Sequence, residues 1–256
     1  MKIALTLSGG GYRGIAHVGV LKALEEAGIK PEAISGTSAG AVVGALYANG
    51  MSTGDMLNFF KSIQLFSIGN LAFGKPGWVD PDSFYDRFRK IFPADDFAAL
   101  KIPLQVTATD ILNGELKIFS EGPLIKALLA SAAFPGFFAP VEVGKGYYVD
   151  GGVLNNFPVD LLREEAEFLI GVYVTPFGPT EKSKIRHSIS VLDRVLKIKS
   201  ATDSIRKFDM CDMLVYPKEL GRFSTFLEND LDTIFELGYQ EAKKSIEEAS
   251  GSLPVS

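Results

Sequence analysis

Two glycine-rich turns, each set between a short apolar run and a stretch of helical spacing, constrain this chain more than any other feature. Lys2-Ile-Ala-Leu-Thr-Leu7 is rich in strand formers and fits a buried parallel strand. Ser8 to Gly14 is a glycine-rich turn. From Ile15 to Ala27, apolar Ile15, Val18, Leu21 and Leu24 recur at helical spacing, and Gly28 stands where a C-cap ends a helix. Ala33-Ile34-Ser35-Gly36 reads as a second strand, and Ala39 to Ala48 as a helix of small residues ending near Asn49-Gly50. Strand, helix, strand, helix within fifty residues is the pattern of a parallel α/β sheet.

The rest of the chain continues it. Residues 53–63 and 80–92 carry helical patterns. Ile102–Ile111 reads as a strand that turns at Asn113-Gly114 and returns over Glu115–Ser120. Pro123–Ala133 is a helix, and Pro140–Val143 with Tyr147–Val149 forms a second hairpin around Gly144-Lys-Gly146. Phe168–Val174 and Met213–Tyr216 are further strands, residues 176–188 a polar loop, and Asn229–Ala249 a long helix with a charged face. Residues 65–78 are apolar but broken by Gly and Pro, which fits either a packed connection or a flap that touches lipid. With 256 residues, 46% of them hydrophobic, and no repeat or break in composition, a single domain over 1–256 is expected.

Charge and composition exclude several functions. A net charge of −5 is no nucleic-acid footprint and gives no overall attraction to anionic headgroups, so any membrane contact is expected to be peripheral and apolar. One cysteine, Cys211, cannot build a disulfide or a thiolate metal site, and two histidines, His17 and His187, exclude a His-rich centre. The N-terminal apolar run is too short for a signal-peptide core, and no window reaches the ~18 apolar residues of a membrane span. The expectation is a soluble, cytoplasmic protein.

Gly36-Thr37-Ser38-Ala39-Gly40 matches G-x-S-x-G at a strand-to-helix junction. A serine on such a turn projects its oxygen clear of the backbone, with a helix N-terminus behind it, so Ser38 is the candidate nucleophile. Gly9-Gly10-Gly11-Tyr12-Arg13-Gly14 also fits a dinucleotide fingerprint, but the second strand ends in Gly36-Thr37-Ser38 rather than in the acid that would hold a ribose. Acyl transfer fits better, with the Gly10 and Gly11 amides as an oxyanion hole. Arg13 either adds charge beside it or orients the loop through carbonyls. For the base, Asp150-Gly151-Gly152 follows the strand Tyr147–Val149, and a desolvated carboxylate there can take the serine proton. The alternatives are an α/β-hydrolase triad through His187, in a polar segment, and a non-enzymatic binding protein that keeps a hydrolase fold.

Glycine loop, serine elbow and Asp-Gly-Gly, in that order, resemble the patatin-like phospholipase family. The resemblance extends to Thr107-Ala-Thr-Asp110 with Asn113-Gly-Glu115, to Ala130-Ser-Ala-Ala-Phe-Pro-Gly-Phe-Phe-Ala-Pro-Val141, to Asp150-Gly-Gly-Val-Leu-Asn-Asn-Phe-Pro158, and to the tail from Cys211-Asp-Met-Leu-Val-Tyr-Pro217 through Gly238-Tyr239. It implies a three-layer α/β/α fold with a mostly parallel sheet. It also implies hydrolysis of fatty-acyl esters, often of phospholipids, without metal or organic cofactor, by a Ser38–Asp150 dyad, with Gly10, Gly11 and Arg13 at the oxyanion. Ser8 departs from plant patatins, which carry Asp before the glycines. Phe134, Phe137, Phe138 and the 65–78 segment are the expected lining of an apolar pocket.

Overall fold

Strands β1 (Ile3–Leu7) and β2 (Ala33–Thr37) lie side by side and parallel, joined by helix α1 (Ile15–Glu26). The structure, a computed structural model, describes residues 1–63, 72, 74–225 and 230–251. After β2 come α2 (Ala39–Ala48), α3 (Thr53–Lys61) and α4 (Tyr85–Ile91). β3 (Leu104–Asp110) and β4 (Glu115–Phe119) follow, then α5 (Leu124–Ser131). β5 (Val141–Val143) and β6 (Gly146–Asp150) form a hairpin that leads to β7 (Phe168–Val172), α6 (Ser188–Ile205), β8 (Met213–Val215) and α7 (Leu231–Ala249).

The eight strands form one sheet in the order β5-β6-β3-β2-β1-β7-β8, with β4 also paired to β3. Pairings from β3 across to β8 are parallel, whereas β4, β5 and β6 add antiparallel strands. Side-chain alternation along a strand divides the core between two faces. Ile3, Leu5 and Leu7 pack with α1, α2, α5 and α7 on one side. Ala4, Leu169 and Tyr173 pack on the other, beneath short 3-10 turns at Val159–Leu161 and Phe208–Met210. Helices α1 and α7 cross with backbones touching, because Gly19 faces Phe235 and Gly238 faces Ala16.

Most expected elements are present within two or three residues of their anticipated limits. Residues 80–92 start as a 3-10 turn (Pro81–Phe84) before α4, because Asp80 caps a proline-led first turn. Helix α6 has no counterpart among the expected elements, and its first residue, Ser188, ends the anticipated polar loop. Of the 65–78 segment, anticipated as a packed connection or a flap, residues 65–71 and 73 lie outside the described residues. Trp78 and Val79 hydrogen-bond through their amides to the Phe137 carbonyl. Among the described residues no helix is long and apolar enough to cross a membrane.

Candidate active site

The register of the sheet brings the serine and the aspartate to one level. Thr37 of β2 pairs with Thr107 of β3, and Ala108, the next residue, pairs with Asp150 of β6. Ser38 follows Thr37, so Ser38 and Asp150 meet on the same edge of β3 at the height of Ala108, with β4 on the other edge, near the carboxyl ends of the parallel strands, where ligands of open α/β sheets bind. The Thr37 hydroxyl donates to the Asn155 carbonyl (2.8 Å) and stands 2.6 Å from the Thr107 hydroxyl, fixing the level of the turn.

Ser38 has φ 54° and ψ −123°, a conformation costing a non-glycine residue about 1–3 kcal/mol. The strain is held by the crossing of β1, β2 and α2. A Cβ on Gly36 would lie 2.7 Å from the Ala41 backbone, and one on Gly40 would meet the Leu7 carbonyl, so both flanks of the turn require glycine. The Ser38 amide donates to Ser131 Oγ of α5 at 2.8 Å. Its hydroxyl donates to Asp150 Oδ2 at 2.6 Å.

Asp150 is buried, and its other oxygen accepts from the Gly152 amide at 2.7 Å. Its backbone is pinned by its N–H to the Ala133 carbonyl and by its carbonyl accepting from the Thr109 hydroxyl. Burial pushes the carboxyl up to about 6, against the hydrogen bonds from Ser38 and Gly152, which favour the anion. Gly151 packs against Thr107 where a side chain would collide.

The glycine loop is tied at both ends. Val174 N–H donates to Ser8 Oγ (3.0 Å), Thr175 Oγ1 to the Gly9 carbonyl (2.6 Å), the Gly9 amide to the Asn156 carbonyl (3.1 Å) and the Tyr12 amide to the Thr225 carbonyl (3.0 Å). Between these ties Gly10 and Gly11 line the cleft beside Ser38, and among the described residues neither amide has a hydrogen-bond partner. Gly14 begins α1 against Ala39.

With this geometry in view, the patatin-like phospholipase family model matches residues 5–163, more than half of the chain. The chain belongs to the patatin-like phospholipase family. An uncharacterized NTE family protein of Mycobacterium tuberculosis is 34% identical over 206 residues, covering 78% of this chain and 57% of that protein. Patatin-like phospholipase domain-containing protein 6 of Homo sapiens is 29% identical over 273 residues, covering 94% of this chain and 20% of that protein. The chain thus spans little more than half of the mycobacterial relative and a fifth of the human one. VipD of Legionella pneumophila shares the fold, with a TM-score of 0.61 at 17% identity, over 96% of this chain and 67% of that one.

The patatin-like cleft beyond Ser38 and Asp150 is largely apolar. Val42, Phe84, Phe88, Leu128, Phe134 and Phe138 line it, within roughly 1330 Å³ of space that includes its open mouth. Phe137, expected in the lining, is instead buried in the core with its ring edge-on to Phe138, because its carbonyl is taken by the amides of Trp78 and Val79. The residue before it, Gly136 (φ 79°), packs against Leu192 of α6.

Arg13 extends away from the glycine loop. It is buried, with Nε donating to the Phe223 carbonyl (3.1 Å) and Nη2 to Thr225 Oγ1 (3.3 Å), and it is absent from the cleft lining. These bonds fit the loop-orienting alternative, since Thr225 in turn accepts from Tyr12. His17 is fully buried beneath the loop, where its Nε2–H donates to the Ser8 carbonyl at 2.8 Å, and burial lowers its pKa to about 4, so it stays neutral. His187 is exposed at the start of α6, bonded to Ser190 within its own first turn, and no described contact joins it to Ser38 or Asp150.

Three contributors escape sequence reasoning. Ser131 holds the elbow from α5. Asn156 lies between Gly9 and Gly152 on the cleft wall. From α6, Asp193, Leu196, Lys197 and Ser200 close one side, with Lys197 Nζ bonded to Asp193 Oδ2 at 2.5 Å. Burial, with Arg13 nearby, lowers Lys197 to about 8 despite that pairing. The Asn-Asn of the Asp-Gly-Gly segment was the one available signal, for Asn156.

Proposed function

We propose that this protein hydrolyses fatty-acyl esters of lipids through a Ser38–Asp150 dyad. The observation that carries the reading is the 2.6 Å hydrogen bond from a strained, turn-borne serine to a buried carboxylate raised to about 6. In the reaction, Asp150 accepts the hydroxyl proton as Ser38 Oγ attacks the acyl carbonyl. The unpartnered Gly10 and Gly11 amides donate to the oxyanion of the tetrahedral adduct, a term worth about 10² to 10³ in turnover per donor. Collapse of the adduct breaks the ester C–O bond, and the proton on Asp150 passes to the departing alkoxide, leaving an acyl-serine. Water then loses a proton to Asp150 as it attacks, and collapse frees the fatty acid and returns the proton to Ser38. Acyl chains fit along the phenylalanines of the cleft. Family membership supports this assignment, and phospholipids or lysophospholipids are the substrates we place first.

The test is intact-mass analysis after exposure to a fluorophosphonate. One adduct is expected on the wild type, none on Ser38→Ala, and greatly slowed labelling on Asp150→Asn. An adduct of equal mass and rate on Ser38→Ala would overturn the assignment.

A further inference from the structure

Helix α6 carries an apolar stripe on its outer face in addition to the apolar residues of its inner one. A surface helix ordinarily turns its apolar stripe inward. Here the inner face mixes Ile189, Leu196 and Ala201 with Asp193, Lys197, Ser200 and Ser204, while Val191 (47% exposed), Val195 (55%), Ile198 (48%) and Ile205 (48%) face out. Their spacing of four, three and seven residues places all four on one stripe. Four β-branched apolar side chains exposed on one helix face, interrupted by Thr202, are more than the singly scattered apolar residues that every surface carries.

The charge around this stripe is reversed. Residues 182–207 carry eight Lys or Arg against two Asp, a net of +6 in a chain whose net charge is −5. Lys197 pairs with Asp193, Lys199 with Asp203 and Lys207 with Asp160. Lys182, Arg186 and Arg206 are exposed and have no carboxylate partner among the described residues. Arg206 follows the stripe directly, and Arg186 precedes the helix by two residues. Nearby, Leu192 packs on Gly136, whose neighbour Phe137 accepts from the amide of Trp78, an indole-bearing residue left 71% exposed. An apolar helical face edged by cations, close to an exposed tryptophan, has the chemistry of an element that lies in a lipid–water interface.

We infer that the outer face of α6 docks this protein on an anionic lipid surface and sets the cleft, which the inner face of the same helix lines, against that surface. This inference extends the acyl-hydrolase reading by placing the enzyme on its lipid, but docking can be measured without catalysis. It also refines the expectation from net charge: the chain as a whole is repelled by anionic headgroups, whereas this face is drawn to them.

The experiment is vesicle flotation with phosphatidylcholine vesicles, pure or containing phosphatidylglycerol. The Ser38→Ala protein is used beside the wild type, and light scattering is run without lipid. Both proteins are expected to float with the anionic vesicles and not with the neutral ones, and raised salt is expected to weaken binding. Val195→Asp with Ile198→Asp should reduce binding about tenfold or more. Arg186→Glu with Arg206→Glu should cost roughly fivefold per cation and flatten the salt dependence. Melting temperature and hydrolysis of a short soluble ester should stay at wild-type values in both double variants, since none of these four residues lines the cleft. Failure of the wild type to float, or equal flotation of the Val195/Ile198 variant, would overturn the inference. So would a wild-type dimer that the same variant splits, because the stripe would then cover a second copy. Flotation by a protein that hydrolyses no ester would leave docking standing and remove the catalytic reading alone.

Discussion

Ser38 and Asp150 meet along one edge of β3 at the level of Ala108: β2 pairs with Leu104–Thr107 and β6 with Ala108–Asp110 on that edge, β4 holds the other, and the Ser38 hydroxyl donates to Asp150 Oδ2 at 2.6 Å. Two antiparallel pairings, β3 with β6 and β5 with β6, deliver the carboxylate to that level. The dyad therefore depends on sheet register, and a one-residue slip of β6 would turn Asp150 to the opposite face.

Replacing Asp150 by Asn should separate chemistry from stability. The amide keeps an oxygen for the Gly152 amide and can donate to Ser38 Oγ, so the site stays satisfied, but it cannot take a proton. Fluorophosphonate labelling should slow by about 10² to 10⁴. Thermal stability at neutral pH should rise, by roughly 1–3 kcal/mol, because a buried carboxylate whose pKa stands near 6 rather than 3.8 destabilises the folded anion. A melting temperature that fell sharply would sink the desolvation argument.

The same shift fixes a pH dependence. The folded protein binds the Asp150 proton more tightly than the unfolded chain, so this group's contribution to stability is present below pH 3.8 and is lost as pH rises through about 6. Activity runs the other way, since the base works only as the anion. The labelling rate should climb with pH, with a midpoint near 6, and then level off. His187→Ala should leave that profile unchanged; a midpoint that moved with His187 would argue for a histidine base.

Gly10→Ala should damage catalysis through one identifiable collision. Gly10 is extended (φ 179°), which any residue tolerates, but an added Cβ would lie 2.6 Å from Val174 Cγ2. The loop must shift, displacing the oxyanion donors, and kcat/KM on an ester should fall about 10²-fold. Adding Val174→Ala opens the space and should restore a substantial part of the loss. No recovery in the double variant would place the cause elsewhere.

Ser131→Ala should loosen the elbow from α5. It strands the buried Ser38 amide, costing about 1–3 kcal/mol of stability by denaturant titration. With the nucleophile less firmly aimed, kcat should drop about tenfold while KM changes little. Unchanged kcat would show that the Gly36 and Gly40 packing alone positions Ser38.

Much of this arrangement is legible from local pattern, because local physics dictates it. Gly36 and Gly40 flank a serine at a strand end since backbones cross there, and Asp150-Gly-Gly ends a hairpin strand where a carboxylate can turn back to its own loop. These features need only the first βαβα unit and the β5–β6 hairpin. The direction of Arg13 does not follow in this way: its partners, Phe223 and Thr225, lie more than two hundred residues away, and only folding brings them beneath the glycine loop.

Helix α6 marks the limit most clearly. Its apolar residues fall on both faces, Ile189, Leu192 and Leu196 inward and Val191, Val195, Ile198 and Ile205 outward, so hydrophobic periodicity singles out no one buried stripe. The amino-acid order by itself determined the parallel α/β core, the two glycine turns and the positions of the serine and carboxylate that we propose as nucleophile and base, each of which rests on contacts within its own supersecondary unit. Tertiary structure alone decided that Ser38 and Asp150 share a level, that Ser131 and Arg13 brace the site, and that α6 closes the cleft, because register and long-range packing are set by the whole sheet and by no single segment of it.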